Sequence, residues 1–296
     1  MVSTMEAYLL GIDWGTSNRR AYLVDRTGTC LRRHADDQGL LAVQGDFAGS
    51  LAALRRAMQV DDAVPVVMAG MVGAASGWQE VPYLDTDVAL ADLPRHLVAV
   101  RDAPRCRIVP GYAGDVPDVD VMRGEETQLL GAGVRDGWIV LPGTHSKWVH
   151  LRAGRVERLS TFMTGELFAL LGAHGTLRTL MTGDAADDDA FADGLRDAQR
   201  RAPLTHSLFG VRARAVTGRM AAPQVRSYVS GLLIGTEFVA AGLGADAGPL
   251  HLIASDALAG RYAHAAAHFG RHAVALDPDQ VFLAALQHFI HDGRSW

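Results

Sequence analysis

The chain of 296 residues carries 33 acidic against 28 basic side chains, a formal charge of −5 with no clustered arginine stripe, which excludes a nucleic-acid binder held by a broad basic surface. At 49% hydrophobic and 21% charged residues it can bury a large core, so wholesale disorder is excluded and two domains or one large one are expected. Cys30 and Cys106 match no CxxC spacing and read as small core residues of a reducing compartment, and no uncharged apolar run reaches the ~18 residues that span a bilayer, so a soluble, cytoplasmic protein is expected.

The opening residues lack a basic n-region and meet Glu6 and Asp13 early. Tyr8 to Asp13 is a short apolar run ending on an acid, followed by the turn Trp14-Gly15-Thr16-Ser17-Asn18. A second extended run, Arg20 to Val24, leads through Asp25-Arg26-Thr27-Gly28 into a third at Thr29 to Arg33. Three short strands joined by Gly-containing turns predict an antiparallel meander. The dinucleotide fold and the P-loop need a helix directly after their glycine turn, whereas a strand is expected here, so neither is expected. Leu51 to Met58 reads as an amphipathic helix, and Val64 to Met68 as a buried strand opening into Gly70-Met71-Val72-Gly73. The next segment, Ser76 to Tyr83, is a loop with exposed-type aromatics, Trp78 and Tyr83, which reads either as a carrier of ligand contacts or as a packed surface loop.

A helix at Glu125 to Val134 opens the second half, which repeats the first. Trp138 to Leu141 is a strand, Pro142-Gly143-Thr144-His145-Ser146 a turn, Lys147 to Leu151 a strand, and Arg155 to Ser160 a third. Gly15-Thr16-Ser17-Asn18-Arg19 and Gly143-Thr144-His145-Ser146-Lys147 thus occupy the same place in two hairpins, which predicts an internal duplication, with the two turns then expected to face each other across a cleft between similar domains. Lys147 is the only lysine among the basic residues. Thr164 is expected to cap a helix running to His174, with Glu166 in its first turn complementing the dipole. The acidic stretch Asp184 to Asp193 reads as a solvated face rather than a metal site. A long apolar helix spans Gln224 to Leu243, with Gly231 and Gly235 permitting close packing. Leu250 to Ala254 is a strand, Leu258 to Phe269 a helix, and Asp277-Pro278-Asp279 starts a final helix from Gln280 to His291. His264, His268 and His272 fall at helical spacing but lack an acid or cysteine to complete a zinc set.

Two turns rich in Gly, Thr and Ser offer backbone N–H groups and hydroxyls at close approach, which is what a polyphosphate needs. Asp13 ends the first strand while Leu141 holds the equivalent place in the second hairpin. One acid and one cradle per side suit a single Mg²⁺, held by Asp13 through water and bridging nucleotide phosphates.

I-D-W-G-T-S-N at Ile12 to Asn18 and L-P-G-T-H-S-K-W at Leu141 to Trp148 resemble the two phosphate motifs of the sugar kinase, actin and heat-shock ATPase superfamily. More narrowly, V-V-M-A-G-M-V-G at Val66, V-M-R-G-E-E-T-Q-L at Val121, F-M-T-G-E-L at Phe162 and S-G-L-L-I-G at Ser230 resemble the 2-dehydro-3-deoxygalactonokinases, from about Leu9 to Ala285. The resemblance implies an α/β protein of two actin-like (ribonuclease H-like) domains, with mixed sheets flanked by helices and a cleft between them. Residues 1–120 would form the sugar-acid side and 121–296 the adenosine side, with the last helix returning to the hinge.

The implied activity is transfer of the γ-phosphoryl of ATP to the 6-hydroxyl of 2-keto-3-deoxygalactonate with Mg²⁺. ATP and a small sugar acid are then the partners, a homodimer stays open, and neither nucleic acid nor membrane is expected. A polyphosphate or nucleotide phosphatase of the same superfamily, or a kinase for a related 2-keto-3-deoxy sugar acid, is the alternative. A chaperone or regulator is disfavoured, since neither a further substrate-holding domain nor a helix-turn-helix segment is present.

Gly15, Thr16, Ser17 and Asn18 would hold phosphate on one side, and Gly143, Thr144, His145, Ser146 and Lys147 on the other, with Lys147 reaching the β- or γ-phosphate, unless His145 only hydrogen-bonds its turn. Asp13 would hold the metal. Glu125 and Glu126 are the base candidates, Glu125 preferred, unless the pair only complements its helix dipole. Arg20 and Arg123 are candidates for the substrate carboxylate, each able instead to pair with a structural acid. Gly70, Met71, Trp78 and Tyr83 complete the substrate side, and Ser255 and Ala257 the adenosine side. Ala254-Ser255-Asp256-Ala257 stands where the superfamily's adenosine motif has glycine, for which a larger or tilted purine slot is the expected consequence.

Overall fold

The computed structural model describes residues 7–115, 117–183, 186–243 and 248–292, so Glu6 at the start and Asp184 of the acidic stretch lie outside the described residues. The chain divides into two compact units, one of residues 1–136, 151–159 and 277–296, the other of 137–150 and 160–276. Residues 121–136, 151–159 and the last helix therefore belong to the first unit, whereas the sequence places the boundary at 120.

In the first unit, β1 (Leu9–Trp14), β2 (Arg19–Val24) and β3 (Cys30–Asp36) form the expected meander. The short helix α1 (Leu40–Val43) and the helix α2 (Phe47–Met58) follow. The latter begins four residues earlier than its apolar pattern suggests because the Asp46 side chain accepts the Gly49 N–H and caps it. β4 (Val66–Gly70), every residue of it buried, lies parallel to β1. Five short strands come next: β5 (Leu84–Asp85), β6 (Val98–Val100), β7 (Ala103–Ile108), β8 (Tyr112–Gly114) and β9 (Asp120–Met122). The main sheet has the order β3-β2-β1-β4-β7-β6, and β5-β8-β9 form a small second sheet. α3 (Glu125–Gly131) ends the run. Leu10, Ile12 and Trp14 of β1 pack on Phe47, Leu51 and Leu54 of α2. The opposite side of the sheet meets the final helix, Pro278–Asp292, where the Tyr22 and Phe282 rings lie 5.3 Å apart.

In the second unit, β10 (Gly137–Leu141), β11 (Ser146–Arg152) and β12 (Arg155–Phe162) repeat the meander. α4 (Thr164–Ala173), α5 (Asp188–Gln199), α6 (Leu204–Val216) and α7 (Ala222–Ala241) precede β13 (Leu250–Ile253), α8 (Asp256–His268) and β14 (Ala273–Leu276). The final helix is α9. The sheet order is β12-β11-β10-β13-β14, with β13 parallel to both neighbours. Its first four strands match β3-β2-β1-β4 of the first unit, so the duplication seen in the hairpins extends to the sheets, and the order is that of the ribonuclease H-like, actin-like unit. α5 and α7 cross at Gly194 and Gly231, where a Cβ on either would overlap backbone of the other helix.

Several expectations change. Cys30 is exposed rather than a core residue, because β3 is an edge strand with alternating exposure, while Cys106 is buried as expected. Thr164 is the first helical residue of α4, whose cap position is Met163 and has no side-chain bond. In the acidic stretch, Asp187 caps α5 by accepting the Ala190 N–H, while Asp188, Asp189 and Asp193 are solvated. His272 lies beyond α8, so the three histidines do not share a helix face, and no metal-holding group of three acids, histidines or cysteines occurs among the described residues. No described helix is long and apolar enough to cross a membrane.

Candidate active site

Each unit carries part of the expected site. In the first, the parallel register sets Asp13 beside Ala69 and Trp14 beside Gly70 at the ends of β1 and β4. Gly70 (φ +92) and Gly124 (φ +114) hold a backbone region that disfavours side chains. A Cβ on Gly70 would lie 2.6 Å from the Trp14 carbonyl oxygen, and one on Gly124 would lie 3.2 Å from Gly70 Cα. Three backbones therefore meet here, and the start of α3, with Glu125 and Glu126, is brought against the strand ends that bear Asp13 and Met71.

The two glutamates differ sharply. Glu125 is half-buried, and its Oε2 accepts the Arg123 N–H at 3.0 Å. Glu126 is 0% exposed, and its two oxygens accept the Gly124 N–H at 2.9 and 2.7 Å. Burial, with the Glu125 charge next, pushes the Glu126 carboxyl up to about 8. Dipole complementation thus describes both residues, but only Glu125 also has an open side.

Asp13 Oδ2 lies 2.5 Å from Arg20 Nη2, a pair set by their cross-strand register. Arg20 also lies 3.5 Å from Asp279 of α9, which receives the Tyr22 hydroxyl at 2.6 Å and Arg33 at 2.8 Å. Arg20, a candidate for the substrate carboxylate, is therefore committed to two acids of its own unit. Arg123 is placed differently. Its Nη2 donates to the Val81 carbonyl at 2.8 Å and its guanidinium lies 4.1 Å from the Tyr83 ring centre, while Nε and Nη1 are buried with no hydrogen-bond partner. Trp78 is half-buried, stacked on Phe47 at 6.2 Å, so it belongs to the aromatic edge of the core rather than to an exposed loop.

Thr16, Ser17 and Asn18 are exposed on their turn, closed by the Gly15 N–H to the Asn18 carbonyl at 2.9 Å. The turn is clasped from behind: Leu40 and Leu41 N–H groups donate to the Gly15 and Thr16 carbonyls, and a Cβ on Gly39 would lie 2.6 Å from Thr16 O. Arg19, the cation after the turn, is 3% exposed and forks onto Asp36 at 3.1 and 2.6 Å.

In the second unit, the start of α4 clasps the Gly143-Thr144 turn in the same way. The Glu166 N–H donates to the Thr144 carbonyl at 2.9 Å, and a Cβ on Gly165 would overlap the Gly143 oxygen. Thr144 and His145 are exposed, with His145 Nε2 2.6 Å from Glu166 Oε2. Ser146, in contrast, is 1% exposed with its hydroxyl 2.8 Å from Tyr262 Oη, so it faces the interior rather than the turn's open side. Lys147 is 6% exposed and, by strand alternation, lies on the sheet face opposite Ser146 and Trp148; its counterpart Arg19 is equally enclosed. Ser255 and Ala257 are exposed at the start of α8, and none of residues 254–257 has positive φ, so the absence of glycine there strains nothing. Beside the turn lies a mostly apolar cavity of about 240 Å³, with Gly143, Gly165, Phe168, Leu233, Leu258 and Tyr262 among its walls.

Sequence reading missed the clasp at Gly39, Tyr112 with its buried unpartnered hydroxyl, and Glu237. Glu237 had a signal: it is the one acid in the apolar run of α7.

Two sheets of one strand order, each opening on a Gly-Thr turn clasped by a helix start, with an acid kept at only one strand end, define a member of the sugar kinase, actin and heat-shock ATPase superfamily. Within it, the model of the 2-keto-3-deoxy-galactonokinase family matches residues 13–289, and the chain belongs to that family. It is 37% identical to a probable 2-dehydro-3-deoxygalactonokinase of Rhizobium meliloti (strain 1021), over 96% of each chain. It is 34% identical to the 2-dehydro-3-deoxygalactonokinase of Escherichia coli (strain K12), over 97% of this chain and 99% of that one. The crystal structure of a Sinorhizobium meliloti protein provisionally described as a 2-dehydro-3-deoxygalactonokinase superposes with a TM-score of 0.88 at 36% identity, covering 94% of this chain and 97% of that one.

Proposed function

We propose that the chain is an ATP-dependent kinase that phosphorylates the 6-hydroxyl of 2-dehydro-3-deoxy-D-galactonate. The observation that carries this reading is the close approach of Gly124 to Gly70, which sets the start of α3, with Glu125, against the ends of β1 and β4 beside Asp13, in a chain whose relatives over nearly its full length bear that enzyme's name. Glu125 accepts the hydroxyl proton, since it sits half-exposed at the first helical position, whereas Glu126 has no exposed surface. Arg123 binds the sugar-acid carboxylate: its Nε and Nη1 are donors without a partner, and a buried unpaired donor costs about 1–3 kcal/mol that an anionic acceptor removes.

The donor set fits a magnesium nucleotide. Mg²⁺ keeps several waters and takes one or two carboxylates plus phosphate oxygens, so Asp13 alone is sufficient protein ligation. When bound, Mg²⁺-ATP supplies the phosphoryl group and screens its oxygens. Backbone N–H groups of the Gly143-Thr144 turn hold the phosphates, and the apolar cavity beside it takes the nucleoside.

The test is ADP release by the purified protein across 2-keto-3-deoxy sugar acids. ADP release that requires a sugar acid and favours the galactonate form is expected. Equal turnover of the galactonate and gluconate forms would overturn the narrow assignment, and ATP hydrolysis indifferent to any sugar acid would point to a phosphatase instead.

A further inference from the structure

Beneath the Gly143–Ser146 turn lies a buried hydrogen-bond network that the roles above do not use. Glu237 of α7 is 1% exposed, among the apolar neighbours Leu233, Ile234 and Phe238. Its Oε2 accepts the Trp148 indole N–H at 2.7 Å and its Oε1 accepts the Tyr262 hydroxyl at 2.8 Å. Because the Tyr262 proton is given to Glu237, the Ser146 hydroxyl, 2.8 Å from Tyr262 Oη, donates inward. Thr164, the first residue of α4, also bonds Glu237 through its side chain. One carboxylate thus holds β11, α4 and α8 together.

Those three elements frame the nucleotide side. Thr164 and Tyr262 line the cavity together with Gly143 and Gly165, and Ser146 ends the turn itself. An apolar side chain at position 237 would satisfy packing at lower cost, since burying a carboxylate is penalised by desolvation. Burial indeed raises the Glu237 pKa, and the bonds from Thr164, Trp148, Tyr262 and Ser146 oppose that shift. What a carboxylate adds over a hydrocarbon is direction, because it fixes where each donor points and so sets the register of the three elements.

We propose that Glu237 is a positioning residue for ATP: through Tyr262, Ser146 and Thr164 it fixes the phosphate turn and the cavity wall in their nucleotide-binding arrangement. This rests on the reading that the second unit holds ATP. Neither Glu237 nor Tyr262 Oη needs to touch the reacting atoms.

The experiment compares the whole protein with Glu237→Gln and, as the milder change, Tyr262→Phe, which removes a single hydroxyl. Binding of a fluorescent ATP analogue is titrated, KM is measured separately for ATP and for the sugar acid, and thermal unfolding without nucleotide confirms folding. Both variants are expected to weaken the analogue's Kd and raise the ATP KM about tenfold, as for loss of an oriented hydrogen bond, with the sugar-acid KM unchanged. An unchanged Kd in folded Tyr262→Phe, or a fall in kcat with both KM values unaltered, overturns the proposal. Failure of the wild-type protein to bind the analogue overturns the nucleotide reading itself and is separately visible.

Discussion

Glu126→Gln separates the two adjacent glutamates in a way that activity alone does not. Glu126 is enclosed beside Glu125 and Tyr112, and its carboxyl is raised from an ordinary 4.5 to about 8. Between these values the folded protein holds a proton that the unfolded chain has released, so stability falls as pH rises through the window and levels off above about 8. Each pKa unit corresponds to about 1.4 kcal/mol, and with the folded value near 8 the loss from pH 6 to pH 8 is about 2 kcal/mol. Glutamine imitates the protonated acid and does not titrate. Urea unfolding of both proteins, followed by tryptophan fluorescence at pH 6, 7 and 8, should therefore show the variant gaining about 2 kcal/mol on the wild type over that range, whatever their offset at pH 6. Parallel pH dependences would refute the account of a buried, proton-holding acid. In the same preparations Glu126→Gln should keep kcat within about threefold, whereas Glu125→Gln should lose about 10²-fold or more if Glu125 takes the hydroxyl proton.

Gly165→Ala should raise the ATP KM while leaving that for the sugar acid alone, because the new methyl overlaps the Gly143 carbonyl oxygen and lies 2.9 Å from Thr144 Cα; steady-state kinetics with each substrate varied in turn checks this. Arg123→Lys should raise the sugar-acid KM about tenfold with the ATP KM unchanged, since a point charge replaces a planar group set against the Tyr83 ring; an equal rise in both KM values would contradict a carboxylate role.

What the sequence makes legible follows from how local the cause is. β1 and β4 are covered on both faces and so appear as apolar runs, Leu9 to Ile12 ahead of Asp13 and Val66 to Gly70. The Gly-Thr turns are visible because their chemistry lies within five residues. The β5-β8-β9 sheet is not visible: its strands are two or three residues long and depend on pairing across the chain, as in Leu84 with Tyr112. The fate of Arg20 is hidden for the same reason, since one of its acids, Asp279, stands 259 residues away. The orientation of Ser146 is hidden too, because a serine in a phosphate-like turn looks exposed, and only the contact with Tyr262, 116 residues on, turns its hydroxyl inward.

The two copies of the duplicated unit have kept their frame and divided their chemistry. In both, a helix start lies on the Gly-Thr turn with a glycine at the contact, Gly39 in one and Gly165 in the other, so the clasp is common to the two units. At the next positions the copies part. Arg20 in the first corresponds to Trp148 in the second, and each donates to a carboxylate: Arg20 to Asp13, which stays at the strand end with 18% of its side chain exposed, and Trp148 to Glu237, which is enclosed beneath the turn. An acid partly open to solvent can exchange its partner for an incoming cation, whereas an acid at 1% exposure with its donors already in place can only hold structure. On the proposed roles, the first copy presents charge to ligands, while the second uses its carboxylate to keep neutral backbone donors in position. That division fits a reaction in which one side must bind a metal and take up a proton and the other must cradle an anion without moving.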